Sequence, residues 1–413
     1  MQKIWWLLKQ AGRQLWLRTV MFCALALITA LLGYFLKPYI PEDIPRRVGA
    51  ESVEGILLII ANSMLVVTTF SLSTMVSAYT AATNNVTPRA TKLLLEDSTS
   101  QNALSVFIGA FLFSLASIIA ISMEIYGSTG LLILYAVTIL VICLIIAVLL
   151  RWISYLSGLG RVGNTIRMVE SATCKALKKR IEQPYLGGTP LHDKNLNGKF
   201  FPVACHKIGF IQFIDMPSLS KHAREYGTEL YIHKIPGSFS NGVEPLLFSS
   251  LHLGPKAQKA ICNNFVISDE RSFDQDPRYG FIVMSEIACR ALSPAINDPG
   301  TAIDVITTAY KLLMPWVNKK RRDPEPLYTD IHVIPLETEN FLGDVFYGIA
   351  RDGAGNLQVG IIIQKMLRLL ARQADEISSK EIKKTARYAF DYSKKFLALD
   401  PEIETIQSYM LDA

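Results

Sequence analysis

Residues 55–78 read GILLIIANSMLVVTTFSLSTMVSA, and this stretch decides the fold. A helix that crosses a bilayer needs roughly 20 mostly apolar residues to cover about 30 Å of hydrocarbon. The stretch is long enough and holds no Lys, Arg, Asp or Glu. It is nonetheless studded with small polar side chains: Asn62, Ser63, Thr68, Thr69, Ser71, Ser73, Thr74 and Ser77. At about 100° per residue, Asn62, Thr69, Ser73, Ser77, Thr80 and Asn84 share one stripe, with only Val66 apolar on it. A polar stripe is costly against lipid, so it calls for protein or water. One reading is a water-filled path lined by hydroxyls and amides. The other is Ser and Thr bonding back to their own helix and letting helices pack closely.

Working outward, three further apolar runs occupy residues 19–36, 103–125 and 130–150. None contains Lys or Arg, and the one acid, Glu124, sits at an end. Four such runs so close together predict membrane spans rather than buried helices of a soluble protein. The first run is too long for a signal peptide and lacks a small-x-small cleavage site, so a retained helix is expected. Of the 413 residues, 50% are hydrophobic and 19% charged, with mean hydropathy +0.27. A soluble protein carries about 25% charged residues. The composition excludes a wholly soluble protein, a disordered chain, a secreted disulfide scaffold and an outer-membrane barrel.

The expected fold class is membrane α-helical, with four transmembrane helices, plus a cytoplasmic α+β domain. Orientation follows the Lys/Arg bias near the helix ends. Residues 1–18 carry Lys3, Lys9, Arg13 and Arg18 without an acid. After the fourth run come Arg151, Arg161, Arg167, Lys175, Lys178, Lys179 and Arg180. Both clusters, and both termini, are therefore expected in the cytoplasm of a bacterial inner-membrane protein. Trp5, Trp6 and Trp16 among the first 18 residues suit an amphipathic helix at the interface; a plain extension of the first span is the other reading. Anionic headgroups are expected partners of residues 1–18 and 151–182.

The expected organisation is an N-terminal interfacial helix (1–18), a four-helix membrane domain (19–153) and a basic juxtamembrane helix with linker (154–200). A small β-rich subdomain (201–255) and a mixed, then mostly helical one (256–413) follow. Residues 207–214, 229–235, 244–248, 260–268 and 329–335 read as strands. Residues 164–182, 218–226, 281–292, 301–313, 339–348, 357–375, 379–397 and 401–411 read as helices. Residues 235–246, IPGSFSNGVEPL, resemble the β-turn-β pattern of lipoyl-like sandwich domains, without the lysine that a cofactor-bearing tip needs.

Six cysteines without a CxxC pair predict neither disulfide nor zinc knuckle. There is no HExxH, Walker A loop, dinucleotide glycine fingerprint or Gly-x-Ser-x-Gly elbow, so no cofactor is expected. Nucleic acid is not an expected partner.

The densest unusual stretch runs from Asp276 through DPRYGF to ALSPAINDPGTA at residues 291–302. It reads as helix, corner, helix. Glu286 and Arg290 stand in the favourable i, i+4 order. Asp298 is placed to cap the second helix, with Pro299 at its first position. Those structural jobs account for every unusual residue. The functional reading is a small-ligand or ion site, with Asp276, Glu286, Arg290, Ser293, Asn297, Asp298 and Asp304 as candidates. Oxygens from Glu286, Asn297, Asp298 and Asp304 suit a cation.

This stretch, together with GFIQFID at 209–215, Phe70-Ser71 and Thr87-Pro88-Arg89, resembles a bacterial family of predicted membrane proteins, domain of unknown function 2254. Ala295 stands where that family usually has Gly. The resemblance covers nearly the whole chain. It implies four spans and a cytoplasmic domain, and it implies no established activity or catalytic residue.

The reading that follows is an oligomeric channel- or pore-like protein. The 62–84 stripe lines the path, and the cytoplasmic domain regulates it through an ion or small ligand. Four helices are too few to enclose a wide path, so a symmetric homo-oligomer is expected. The alternatives are a membrane-anchored binding or scaffold module, and a membrane-proximal enzyme using the residue 276–298 cluster.

Overall fold

The computed structural model describes residues 20, 24, 28, 49–95, 97–126, 128–191, 200–318 and 324–411. The expected interfacial segment 1–18 lies outside the described residues. So does the expected first span, apart from three helical positions, Val20, Ala24 and Ile28. The chain divides into two units. Of the described residues, one takes those up to 84 and those from 91 to 164, and the other takes 85–90 and those from 165 on.

The first unit is helical. It contains α1 (Ala50–Asn85), most of α2 (Pro88–Leu95), α3 (Ser98–Ser122) and α4 (Ser128–Leu156). Ala50–Thr83, Thr99–Ser122 and Gly130–Leu156 are long and apolar enough to cross a membrane, three spans among the described residues. At 1.5 Å per residue, the 36-residue α1 extends about 54 Å, well beyond a hydrocarbon core. No proline interrupts any of the three. Asp97 starts α3 by accepting from the backbone N–H of Thr99 and Ser100 at 3.2 and 3.4 Å. Their shared core joins Val53, Leu57, Ile60 and Met64 of α1 to Phe107 and Phe113 of α3 and Leu134, Val141 and Trp152 of α4. Ala110, Ser114 and Ser117 are fully buried, as small side chains at a tight helix contact should be. The Trp152 indole donates to the Ser71 hydroxyl at 3.0 Å, satisfying both polar groups inside that core.

The second unit is α+β. It begins with α5 (Val162–Glu182), whose buried Ile166, Val169, Thr173, Ala176 and Leu177 form one face. Strands follow: β1 (Gly188–Pro190), β2 (Phe201–Val203), β3 (Ile208–Ile214), β4 (Leu230–Ile232), β5 (Phe239–Asn241), β6 (Leu247–Ser249), β7 (Phe265–Ser268) and β8 (Tyr328–Val333). They make a five-stranded sheet in the order β1-β8-β4-β6-β2 and a three-stranded sheet in the order β5-β3-β7. In the larger sheet β8 runs parallel to both β1 and β4, while β6 is antiparallel to β4 and β2. Residues of one face (Val203, Leu230, Ile232, Leu247, Ile331, Val333) are fully buried against the core, and on the central β4 the intervening Tyr231 is buried as well.

Helices α6 (Met216–Glu225) and α7 (Pro255–Cys262) accompany the strands. The helical remainder is α8 (Pro277–Ala291), α9 (Pro299–Val317), α10 (Thr338–Leu342), a π-helical turn (Gly343–Tyr347), α11 (Gly348–Asp352), α12 (Leu357–Ala371), α13 (Glu376–Phe396) and α14 (Asp400–Ser408).

Four expectations change. Residues 260–268 are not one strand. Pro255 at the first helical position starts α7, and only 265–268 pair in a sheet. Residues 339–348 form a helix broken by a π turn, whose Val345 carbonyl accepts from the Ser285 hydroxyl at 3.1 Å. The lipoyl-like pattern fails, because β5 pairs with β3 whereas β6 pairs with β2 and β4 in the other sheet. Cys205 and Cys262 are joined by a disulfide, with Cα atoms 5.7 Å apart, against the expectation of none. Spacing in sequence gave no sign of it, since 57 positions separate the two. β7 and β8, which follow residue 255, sit in sheets with strands that precede it.

Candidate functional site

The polar stripe of α1 points away from the three-helix core. Asn62, Thr69, Ser73, Ser77 and Thr80 are exposed, while Val53, Leu57, Ile60, Met64 and Ser71 on the opposite side are buried. The Asn84 side chain lies outside the described positions. Thr69 donates to the Leu65 carbonyl at 2.9 Å and Thr80 to Val76 at 3.0 Å, and Thr68, Thr74 and Thr83 bond back in the same way. Each such hydroxyl thus has its proton satisfied within the helix, and exposed Thr69 and Thr80 keep an oxygen lone pair for an outside partner. Val66, on the stripe, is exposed, and so are Ile59 and Phe70 beside it. The outer face of α1 is therefore mixed, neither purely lipid-facing nor purely wet.

In the second unit the candidate residues do not converge on one point. They are strung along α8 and its ends. Asp276 caps the start of α8 and Asp298 caps the start of α9; the 15 residues of α8 put about 22 Å between the two ends of that helix. At the corner, Asn297 takes a left-handed φ of 50°, which Asn tolerates better than most residues. The Ser293 hydroxyl donates to the Arg290 carbonyl at 2.7 Å. Asp298 accepts from the Thr301 N–H at 3.1 Å and hydroxyl at 2.6 Å. These bonds to Thr301 hold the Asp298 carboxyl below its ordinary pKa. Asp304 is exposed on α9. Among the described residues no three His, Cys, Asp or Glu side chains are grouped so that they could hold a metal ion.

The other end of α8 is different chemistry. Asp276 is 1% exposed. Its Oδ2 accepts from the Arg271 Nε at 2.8 Å and lies 2.7 Å from Nη2, and its Oδ1 accepts from the Tyr279 N–H at 3.3 Å. Burial pushes the Asp276 carboxyl up, with the Arg271 charge opposing it. Arg180 from α5 is buried alongside. It donates to the Gln275 carbonyl at 3.1 Å, and burial lowers its guanidinium to about 10 against the pull of Asp276. Gly237, at φ 95°, leaves no room for a side chain, since a Cβ there would run into the Asp276 carboxylate. One helix turn away, Gly280 lets α5 and α8 touch: a Cβ would collide with Thr173. Arg278 makes a two-pronged pair with Asp344 of the π turn at 2.6 and 2.9 Å. Glu286, expected to pair with Arg290 one turn on, forms its ion pair with Arg89, 197 positions away. The charges of Arg89, Glu286, Glu270 and Arg271 all act on the Tyr279 phenol, whose pKa is raised chiefly by burial.

So α8 is a hub. The segment that follows α1 reaches it through Arg89, and α5 reaches it through Thr173 and Arg180. β3 reaches it through the Gln275 side chain, which accepts from the Ile214 N–H at 2.9 Å and donates to the Ile214 carbonyl at 3.3 Å. Those contacts bring the sequence motifs at 87–89 and 209–215 to α8 and the residues that start it. The sequence as a whole has a counterpart among known proteins. The family model described as "Predicted membrane protein", domain of unknown function 2254, matches residues 12–369.

The chain belongs to this family.

It is also similar, at 58% identity over 40 residues, to proteins named as uncharacterized from Mycobacterium bovis and Mycobacterium tuberculosis. The aligned stretch is 10% of this chain and 8% of each relative, so the likeness is confined to a short segment. No solved structure is similar to the chain.

Sequence reasoning missed Arg180 and Arg271 and left Arg89 without a role. Arg180 did leave a signal. At about 100° per residue it falls on the apolar face of α5 with Val169 and Thr173, where a charged residue must have a buried partner.

Proposed function

We propose that the protein is an oligomeric channel- or pore-like membrane protein whose α+β unit regulates it. The observation that carries this reading is the outward polar stripe of α1. A protomer that packed its spans only for anchorage would turn Asn62, Thr69, Ser73, Ser77 and Thr80 inward or replace them. Among the described residues the apolar face is the packed one and the polar face is left uncovered. A ring of identical copies gives that face water and like neighbours at once. Purified protein in liposomes should pass ions, and Thr69→Leu or Ser73→Leu should reduce the flux while assembly is unchanged. Absence of flux across voltage, pH and ionic conditions removes the proposal.

A second reading, a membrane-anchored scaffold, draws on the back-bonding of the threonine hydroxyls, which lowers the cost of that face in lipid or against another helix. It expects the stripe substitutions to leave every activity intact. In either reading α8 is the coupling element, because Arg89, Arg180 and Thr173 bring both span-linked segments to it. The regulatory candidates at 276–304 belong to that element, with an ion or small ligand as effector. Exposed Lys175, Lys178 and Lys179 on α5 suit anionic headgroups.

The placement that goes with this reading is the bacterial inner membrane, both termini cytoplasmic. It makes a sharp demand of Cys205 and Cys262, since a reducing compartment keeps such pairs open. Alkylation in intact cells before lysis should modify both thiols. A pair that stays protected until reductant is added would put the α+β unit on the opposite side.

A further inference from the structure

We propose that the β3–β5 tip is a prong that inserts into a lipid surface carrying anionic headgroups. Three large apolar side chains crown this tip: Ile208 is 68% exposed, Phe239 50% and Val243 88%. The tip is rigidly built. Ile208 pairs with Asn241 and Phe210 with Phe239 across the strands, and the two phenylalanine rings meet edge to face at 5.2 Å. The Asn241 side-chain oxygen accepts from the N–H groups of Val243 and Glu244 at 3.1 and 2.9 Å, a local turn that projects Val243. Below it, buried Ser240 donates to the Lys207 carbonyl at 2.6 Å. Gly242, at φ 75°, closes against Ile208. The apolar crown is thus held in water by hydrogen bonds beneath it, and ordering costs are already met before anything covers it.

Two features choose the occupant. Three side chains on a narrow tip fall far short of the about 800 Å² per partner that a stable protein interface buries, whereas a small apolar wedge is what a headgroup–acyl boundary accepts. Lys207 and His206 are exposed beside the crown and Glu244 is tied to Lys234 at 2.6 Å, so the β3–β5 side of the tip offers Lys207 to anionic headgroups, while exposed Asp269 follows the neighbouring strand β7. The chain also tethers the α+β unit, which resumes at residue 165, to the last span, which ends at Leu156. The inference needs the chain to sit in a bilayer and does not need it to conduct.

The test uses the full chain in vesicles of phosphatidylcholine with and without phosphatidylglycerol. A photoreactive benzoylphenylalanine is placed at position 243 or, as a control of similar exposure, at Ile377, which is 76% exposed. Illumination should give a lipid adduct at 243, enriched by phosphatidylglycerol, and little at 377. With the probe at 239 instead, Val243→Asp should abolish the adduct while elution and unfolding midpoint stay as in the parent. Equal labelling at 243 and 377, cross-linking of 243 to a second copy of the chain, or no adduct at 243 would each overturn the proposal. Flux, measured on the same vesicles, tests the pore separately.

Discussion

The starts of α8 and α9 carry the same dipeptide. Asp276-Pro277 starts α8 and Asp298-Pro299 starts α9. Even the backbone agrees: the capping aspartates have φ/ψ of −114°/88° and −113°/83°. Each accepts from the N–H three residues on. Yet burial pushes the carboxyl of Asp276 up, while bonds to Thr301 hold that of Asp298 down. One is sealed among Arg271, Arg180 and Gly237; the other stands at an exposed corner with Thr301. Local sequence makes a helix cap in both places. What packs around the cap decides whether it is also part of a charge lattice.

The largest expected effect tests the sealed end. Asp276→Ala leaves Arg180 and Arg271 without their counter-charge, and removing one partner of a buried pair costs about 3–5 kcal/mol. Denaturant unfolding of the full chain in detergent should show a loss of that order, and a loss under 1 kcal/mol, roughly that of a simple cap, would erase the contrast with Asp298. Gly237→Ala comes next. A side chain there meets both a positive φ and the Asp276 carboxylate, so about 1–3 kcal/mol should go, and a neutral result would mean the seal is looser than described. Asp298→Ala should cost only about 1 kcal/mol, the ordinary value of a lost cap. A greater loss, or loss of an ion-dependent stabilisation, would instead reveal a site at the corner.

The smallest effect is in pH. A carboxyl depressed in the folded state contributes stability above its unfolded pKa that is lost as pH falls through the folded value. Asp298 is of this kind, so the parent should lose its contribution below about pH 4 and Asp298→Asn should not. Asp276 has the opposite sign: its raised carboxyl favours the folded state when protonated, a contribution lost as pH rises through the folded pKa. Stability should therefore fall with rising pH in Asp298→Asn and rise in Asp276→Asn across the acid range. Parallel curves would break the comparison.

Much of this was legible beforehand, for physical reasons. The apolar runs, the α8–corner–α9 unit and both caps depend on residues within a turn or two of each other. Asp298 and Thr301 need only three positions to meet. The Asn62–Thr80 stripe was readable because helical periodicity alone orders it. Arg89 with Glu286 was not, since nothing near either residue announces a partner 197 positions off. Nor was β8 between β1 and β4, because the pairing of short strands depends on what the whole sheet buries. Residues 260–268 were misread as a strand for a related reason: a short apolar run fits a strand or the buried side of a helix equally well, and Gly254-Pro255 upstream settled it as helix.

Sequence alone determined that this chain carries membrane-spanning helices, where its caps and corners fall, and that one helix bears polar groups along a single side, since all of these follow from composition and local geometry. Only tertiary structure decided which of two identical Asp-Pro caps is buried with arginines, that the polar side of α1 turns away from its own core, and that α8 gathers segments from across the chain. Burial and charge pairing are properties of what lies nearby in space, and the order of residues along the chain leaves that open.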